Sequence, residues 1–406
     1  MTRRERSIVI IGAGIFGVTA AIELRRRGAA VTLLDPGPLP HPNAASTDIS
    51  KVIRMDYGSD TFYTALMEQA LQGWDAWNRR WGEPLYHETG FLILSREPVL
   101  DQGFERSSFA LLTARGHTLD RMTPDKLRER HPAWAAERYP DGYFNARGGW
   151  AESGKVVARL IEEARAAGVT LVEGFTFARL LEEGSRVTGV VSADGERRLG
   201  DVVLVAAGAW TPTLLPYLGD RLWAVGQPVL HFRAPDHDFY RAPRFPPWAA
   251  DIARTGWYGF PALPDGTLKI ANHGAGRRMH PDEPRVVGAG EEAKFRAFLA
   301  DTFPGLVGAP LLGSRLCLYC DTWDGSFWID HDPDRPGLVV AAGGSGHAFK
   351  FAPVLGGIIA DVITHEENPH AQRFAWRALG ALAVEEARNA GDGEPTKRPG
   401  QDDPRA

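Results

Sequence analysis

The two cysteines of the 406-residue chain, Cys317 and Cys320, lie three positions apart in RLCLYC. That spacing admits a redox pair, half of a metal site, or a single functional thiol. The flanking residues read as a strand, which sets the two α-carbons about 10 Å apart, beyond the roughly 7 Å that a disulfide spans. Strand alternation also turns the two sulfurs to opposite faces, with Tyr319 beside Cys317. No other cysteine is present to complete a zinc site, so no metal is expected. A redox CxxC normally opens a helix, a context that CLYC lacks. One functional thiol remains, or two buried cysteines acting as small apolar residues.

Two further stretches carry reactive groups. In GTLKIANHG, alternation sends Lys269 and His273 to one side of a strand and Leu268 and Ile270 to the other. A lysine on an apolar inner face must be paired, hydrated or useful. In IVIIGAGIFG, the spacing of Gly12, Gly14 and Gly17 is G-x-G-x-x-G, directly after an apolar strand and opening a helix. The first glycine permits a tight turn, the second lets backbone approach a pyrophosphate, and the third lets helix and strand pack closely. The helix start adds free N–H groups and partial positive charge for the phosphates. The next strand, AVTLLD, ends in Asp35, where a carboxylate can accept from a ribose hydroxyl.

Positioning these groups requires a sheet. Short apolar strands alternate with amphipathic helices in SIVIIG, VTAAIELRRRG, AVTLLD, GKVVARLIEEARAAG, VTLVEG and DVVLVAAGAW, which implies a parallel sheet covered on both faces. Residues 81–148 and 219–310 alternate less clearly and are rich in Trp, Tyr and Pro. The expected organisation is therefore α/β plus α+β: a discontinuous Rossmann-like cofactor domain (1–80, 149–218, 311–384) with a twice-inserted mixed-sheet substrate domain (81–148, 219–310). The segment 385–406 is polar and rich in Gly and Pro, and is expected to be a disordered tail. A formal net charge of −5 with mixed signs offers no basic stripe for nucleic acid. The basic, apolar N-terminus imitates a secretion signal but runs into the charged helix ELRRRG without a cleavage site. No stretch approaches the roughly 20 apolar residues of a membrane span. A cytoplasmic monomer is expected.

NAD and FAD share the glycine fingerprint. A second strand and glycine loop, LVVAAGGSGHAFKF, returns near the C-terminal end, and a second loop on the same cofactor suits FAD, whose flavin lies far from its adenosine. The junction VLVAAGAW adds Gly208 and Trp210.

The glycine triplet, HPNAASTDISKVIR, VLVAAGAW, WYGFP, LKIANH, CLYCDTWDGSFWID and GGSGHAFKF occur in the order and approximate spacing of the sarcosine oxidase branch of the D-amino-acid-oxidase-like flavoproteins, which the chain resembles up to about residue 380. That branch also includes the pipecolate, fructosyl amino acid and saccharopine oxidases. The resemblance implies an FAD-dependent oxidase that attacks the C–N bond of an N-substituted or cyclic amino acid, with the imine hydrolysing and O2 reduced to hydrogen peroxide. It implies FAD contacts from Gly12, Gly14, Ile15, Phe16, Gly17 and Asp35 in the first unit. Ser46, Thr47, Lys51 and Val172 follow, then Gly208 and Trp210. The last set is Gly344, Gly346, His347, Phe349 and Lys350, with Cys317 carrying a thioether to the flavin. It further assigns Lys269 to oxygen activation, Tyr258, His273, Tyr319 and Lys51 to the reaction centre, and Arg54 with Lys350 to the substrate carboxylate. Lys51 stands where the sarcosine oxidases carry arginine, and Cys317, Asp321 and Thr322 follow the fungal pattern, so a substrate bulkier than sarcosine is expected. The rival readings are a flavoprotein dehydrogenase that passes electrons to another carrier, and a non-catalytic FAD-binding module.

Overall fold

The structure is a computed structural model that describes residues 5–98 and 103–389. Strand β1 (Ser7–Ile11), helix α1 (Ile15–Arg26) and strand β2 (Ala30–Asp35) form a crossover in which β2 lies parallel to β1, with Ile8 opposite Val31. A six-stranded sheet grows from it, in the order 328–331, 338–342, 202–205, β1, β2, 170–173. All neighbours are parallel except the outermost 328–331. Its strands are apolar nearly throughout because helices 153–166 and 352–364 with α1 cover one face and further chain covers the other.

A nine-stranded mixed sheet forms the second layer system. Its long strand Leu222–Arg233 pairs antiparallel with both Thr267–Asn272 and Leu311–Thr322. Gln227 lies opposite Cys317, and His231 lies opposite Lys269. Directly paired residues share a face, and Gln227 and His231 are four apart on one strand. Cys317, Tyr319, Lys269, Ala271 and, through its pairing with Ala271, Tyr258 therefore project to the same side. Cys320 pairs with Ala224 and faces the opposite way, into the core of the six-stranded sheet.

Two expectations are corrected. Strand 311–322 was assigned with 311–384 to the cofactor domain, yet its ladder belongs wholly to the nine-stranded sheet. Sequence order alone carries no signal of which strand it joins. The segment from 385 was assigned to a disordered tail, yet it is ordered to Asn389. Ala387 is completely buried among Phe91, Phe104 and Tyr143, and Arg388 bonds Asp321 at 2.7 Å. Residues 390–406 lie outside the described residues.

Helix Thr61–Trp81 is bounded by its own chemistry. The Asp60 carboxylate accepts from Tyr63 N at 3.0 Å, and Gly82 ends the helix in the left-handed region. Its buried Trp74 donates to Lys350 O at 2.8 Å, fixing the second glycine loop. Helix Phe104–Ala114 contributes Glu105, whose Oε1 is buried with no hydrogen-bond partner among the described residues. Burial pushes this carboxyl from 4.5 up to about 7. A raised folded value means that the fold binds more protons than the unfolded chain between those limits, so stability falls as pH rises through them. Glu105→Gln should remove that slope, gaining up to about 3 kcal/mol at pH 8 and nothing at pH 4. Thermal denaturation at the two pH values tests it, and an equal shift at both would contradict it.

Candidate active site

The glycine loop after β1 closes a cradle that no other residue fits. Gly12 has φ of 99°, and a Cβ there would lie 2.6 Å from Ala206 O. One on Gly17 would lie 1.9 Å from Gly12 O. Gly14 is the N-cap of α1 with no side-chain cap, so its first-turn N–H groups face the loop. Ile15 and Phe16 are buried behind it. Asp35 accepts from Ala13 N at 2.9 Å and Gly37 N at 3.1 Å, holding the loop while leaving acceptor capacity on both oxygens. Val172 packs one register position before Asp35 at the sheet edge. Ser46 borders Gly14, and the buried Thr47 Oγ1 and Ser50 Oγ make no hydrogen bond among the described residues. Gly208 takes φ of 54° in the third strand-to-loop junction, where Trp210 donates to Asp282 at 2.7 Å. Anion-ready amides, a carboxylate and unmatched hydroxyls in one row fit FAD, with its pyrophosphate and ribose hydroxyls.

Beyond the row, charges gather on the inner face of the nine-stranded sheet. Lys269 is buried and donates to Asp48 Oδ2 and Ser50 O, both at 2.6 Å. Burial pulls its ammonium down to about 8 against the opposing pull of Asp48. Asp48 Oδ2 is also 3.6 Å from Lys51 Nζ, which lies 3.8 Å from Cys317 Sγ. Burial favours the neutral Asp48 carboxyl, but Lys269, Lys51 and Arg315 outweigh it and hold the group well below the carboxylate range. Two lysines thus share one aspartate and leave a net positive charge beside the cysteine. Tyr258 and Tyr319 wall the same place.

The second cluster surrounds Arg54 and Lys350. Arg54 is buried against Tyr57 and Phe104, with its Nη2 2.6 Å from Glu385 and its Nη1 without a hydrogen bond among the described residues. Lys350 donates to Tyr57 OH at 2.8 Å. The hydroxyl then faces His347 Nδ1 at 3.0 Å, and His347 Nε2 faces Gly325 O at 3.0 Å. Only one neutral tautomer serves this chain: Tyr57 donates to Nδ1 and Nε2–H donates to the carbonyl. Burial, which lowers His347 to about 3, agrees. Burial, then repulsion from Arg54, pulls Lys350 well below its ordinary value. His273 Nε2 lies 3.4 Å from Glu385 Oε2. Gly346, at φ of 79°, lets the glycine loop pass the Tyr319 ring, which a Cβ would meet at 2.3 Å.

One cavity of about 50 Å³ brings Arg54, Tyr258, His273, Tyr319, Lys350 and Lys51 together, with Gly346, His347 and Phe349 from the second glycine loop. Cys317 and Lys269 lie behind its wall, with Lys51 and Asp48 between. Gly344 lies by Phe16, on the cradle side. Trp210 is set apart at a rim with His41 and Arg285. Sequence reasoning missed Asp48, Tyr57 and Glu385. Asp48 lies within HPNAASTDISKVIR and Tyr57 three residues after it, where a buried acid or phenol has no spacing signature of its own. Glu385 fell in the stretch taken for tail.

Residues 7–362 match the family model described as DAO, FAD dependent oxidoreductase. The chain is 26% identical over 373 residues to monomeric sarcosine oxidase of Bacillus sp. (strain B-0618), covering 89% of this chain and 93% of that protein. It is 30% identical over 366 residues to N-methyl-L-tryptophan oxidase of Salmonella heidelberg (strain SL476), covering 87% and 93%. The crystal structure of the deglycating fructosamine oxidase Amadoriase II from Aspergillus fumigatus superposes with a TM-score of 0.84 at 26% identity, covering 97% of this chain and 95% of that one.

Proposed function

The chain belongs to the DAO family of FAD-dependent oxidoreductases, and we propose that it oxidises the C–N bond of an N-substituted amino acid held by its carboxylate, with O2 as electron acceptor. The observation that carries this reading is the convergence of Arg54, Tyr258, His273, Tyr319 and Lys350, far apart in sequence, on one cavity that also contains the second glycine loop.

Gly12, Gly14 and Gly17 with the start of α1 would hold the FAD pyrophosphate, and Asp35, Ser46 and Thr47 the adenosine side. What FAD supplies when bound is the two-electron oxidation of the amine, which O2 completes. Arg54 and Lys350 fix the substrate carboxylate. Two cations in a desolvated pocket favour an anion strongly, and an arriving carboxylate opposes the burial and Arg54 repulsion that lower the Lys350 ammonium. Burial also holds His273 toward its neutral form, so it presents a hydrogen-bonding ring rather than a second repelling charge to an amine. Tyr258 and Tyr319 shape the wall beside the reacting carbon. Lys51, Asp48 and Lys269 keep net positive charge where oxygen is to gain electrons. A polar, charged cavity of this kind speaks against a non-catalytic module.

The same reading makes Cys317 the covalent anchor of the flavin. Its sulfur lies 3.8 Å from Lys51 Nζ on the cavity side, whereas the Cys320 thiol faces the core and burial pushes it up to about 12. The purified protein should be yellow, and the colour should stay with the polypeptide after acid precipitation. Cys317→Ser should release the flavin into the acid supernatant and Cys320→Ser should not; the reverse would overturn the assignment. No helix among the described residues is long and apolar enough to cross a membrane, and a cytoplasmic monomer remains part of the reading.

A further inference from the structure

The cavity that is to take an amino acid already holds a carboxylate of the chain itself in its lining. That group is Glu385, whose carboxylate lies 2.6 Å from Arg54 and 3.4 Å from His273, on the cation assigned to the substrate. A carboxylate of the protein thus makes the contact that a substrate carboxylate needs.

Glu385 sits on a segment without helix or strand between Ala375 and Asn389. The segment is tied down at separate points around the cavity mouth. Ala383 N donates to Trp323 O at 2.7 Å, and Asn389 N donates to His273 O at 3.1 Å. Arg388 bridges Asp321 at 2.7 Å and donates to Gly274 O at 3.1 Å. Glu386 accepts from Ser59 N at 3.1 Å. On its far side lies a second cavity of about 130 Å³, lined by Asp321, Thr322, Ser345 and Arg388 and bounded, like the first, by Glu385.

We propose that residues 383–389 are a built-in competitor for the substrate: Glu385 occupies Arg54 in the free protein, and the substrate carboxylate binds by displacing it and opening the cavity toward the second space. This rests on the reading of Arg54 as a carboxylate holder. Two carboxylates cannot share one guanidinium edge in so small a volume without strong like-charge repulsion. The competitor lowers affinity by the fraction of molecules in which it is displaced, and it gives preference to ligands that carry an anion over amines that carry none.

The test uses the flavin-loaded protein and acetate or benzoate, carboxylates without an amine, titrated by the change in flavin absorption. An open population of 10% or less predicts that Glu385→Gln, which keeps shape and removes charge, tightens binding by about tenfold or more. Arg388→Gln, which loosens the latch and leaves Glu385 in place, should tighten it by less. In the unaltered protein, hydrogen exchange at the amides of Ala383 and Asn389 should speed up when acetate is added, a readout that depends on no variant folding. If Arg54→Gln weakens binding but Glu385→Gln leaves it unchanged or weaker, the competitor is overturned and the carboxylate site stands. Retained amide protection in saturating acetate overturns it too. If Arg54→Gln has no effect with either residue at 385, the carboxylate site itself fails.

Discussion

Lys269→Met should leave reduction by substrate under argon nearly intact and slow reoxidation in air by about 10² to 10³-fold. Transfer of electrons to oxygen builds negative charge, and a preorganised ammonium in a water-poor site is worth about 3 to 4 kcal/mol to it. Lys269 is preorganised: its ammonium is fixed on Asp48 and Ser50 and lies over the Phe260 ring. Methionine keeps the length and removes the charge. Because the ammonium loses its proton near pH 8, the unaltered protein should lose its reaction with oxygen as pH rises through that value, and the variant should be flat. The network also identifies a rival. Lys51, which lines the cavity, sits 3.6 Å from the same aspartate, so Lys51→Met is the necessary companion. Stopped-flow reoxidation of both variants separates them. If Lys51→Met alone slows the step, the working cation is Lys51; if both half-reactions slow equally, Lys269 only positions its neighbours. The methionine variant strands Asp48 beside Lys51 and Arg315, so thermal denaturation should accompany the kinetics.

What could be read from sequence was local. Glycine spacing and alternation located the cradle, and period two located strand 311–322 with its sulfurs on opposite faces, because both depend on neighbours within a few residues. The same alternation separated Lys269 from Leu268 and Ile270, which pack into the core on the other face. The partner of that strand was illegible: nothing near residues 222–233 announces that it lies between Thr267–Asn272 and Leu311–Thr322. Yet that central strand is what puts Lys269 and Cys317 on a common face. Charged partners were hidden for a related reason. A buried acid such as Asp48 has the sequence appearance of an exposed one, and only the fold brings Lys269 to it across 221 residues. Glu385 was the hardest case. Its neighbours Ala387 and Arg388 are small or charged and the following residues are polar, so composition spoke for disorder. Its order comes from cations and a pocket supplied by distant parts of the chain.

Arg54→Ala should cost the protein its grip on anionic ligands. The Arg54 guanidinium is stacked on Tyr57 and Phe104 and buried, so it meets a carboxylate without water between them. Truncating one member of such a pair costs about 2 to 5 kcal/mol, or about 30- to 5,000-fold in affinity. Two side effects place the result toward the lower end. Lys350, no longer repelled by Arg54, regains proton affinity and recovers part of the attraction. Glu385, having lost its nearest cation, no longer sits in a favoured place and competes less. Arg54→Lys separates charge from shape, since it restores the cation but not the planar fork, and should recover only part of the loss. The flavin content of each variant should match that of the unaltered protein, because the partners of Arg54 are Glu385, Tyr57 and Phe104. Inhibitor titration with acetate and KM for any oxidised substrate are the measurements. An unchanged affinity in Arg54→Ala would remove the residue from the site, and a loss of flavin together with affinity would make it structural. A loss confined to anionic ligands leaves carboxylate recognition as its work.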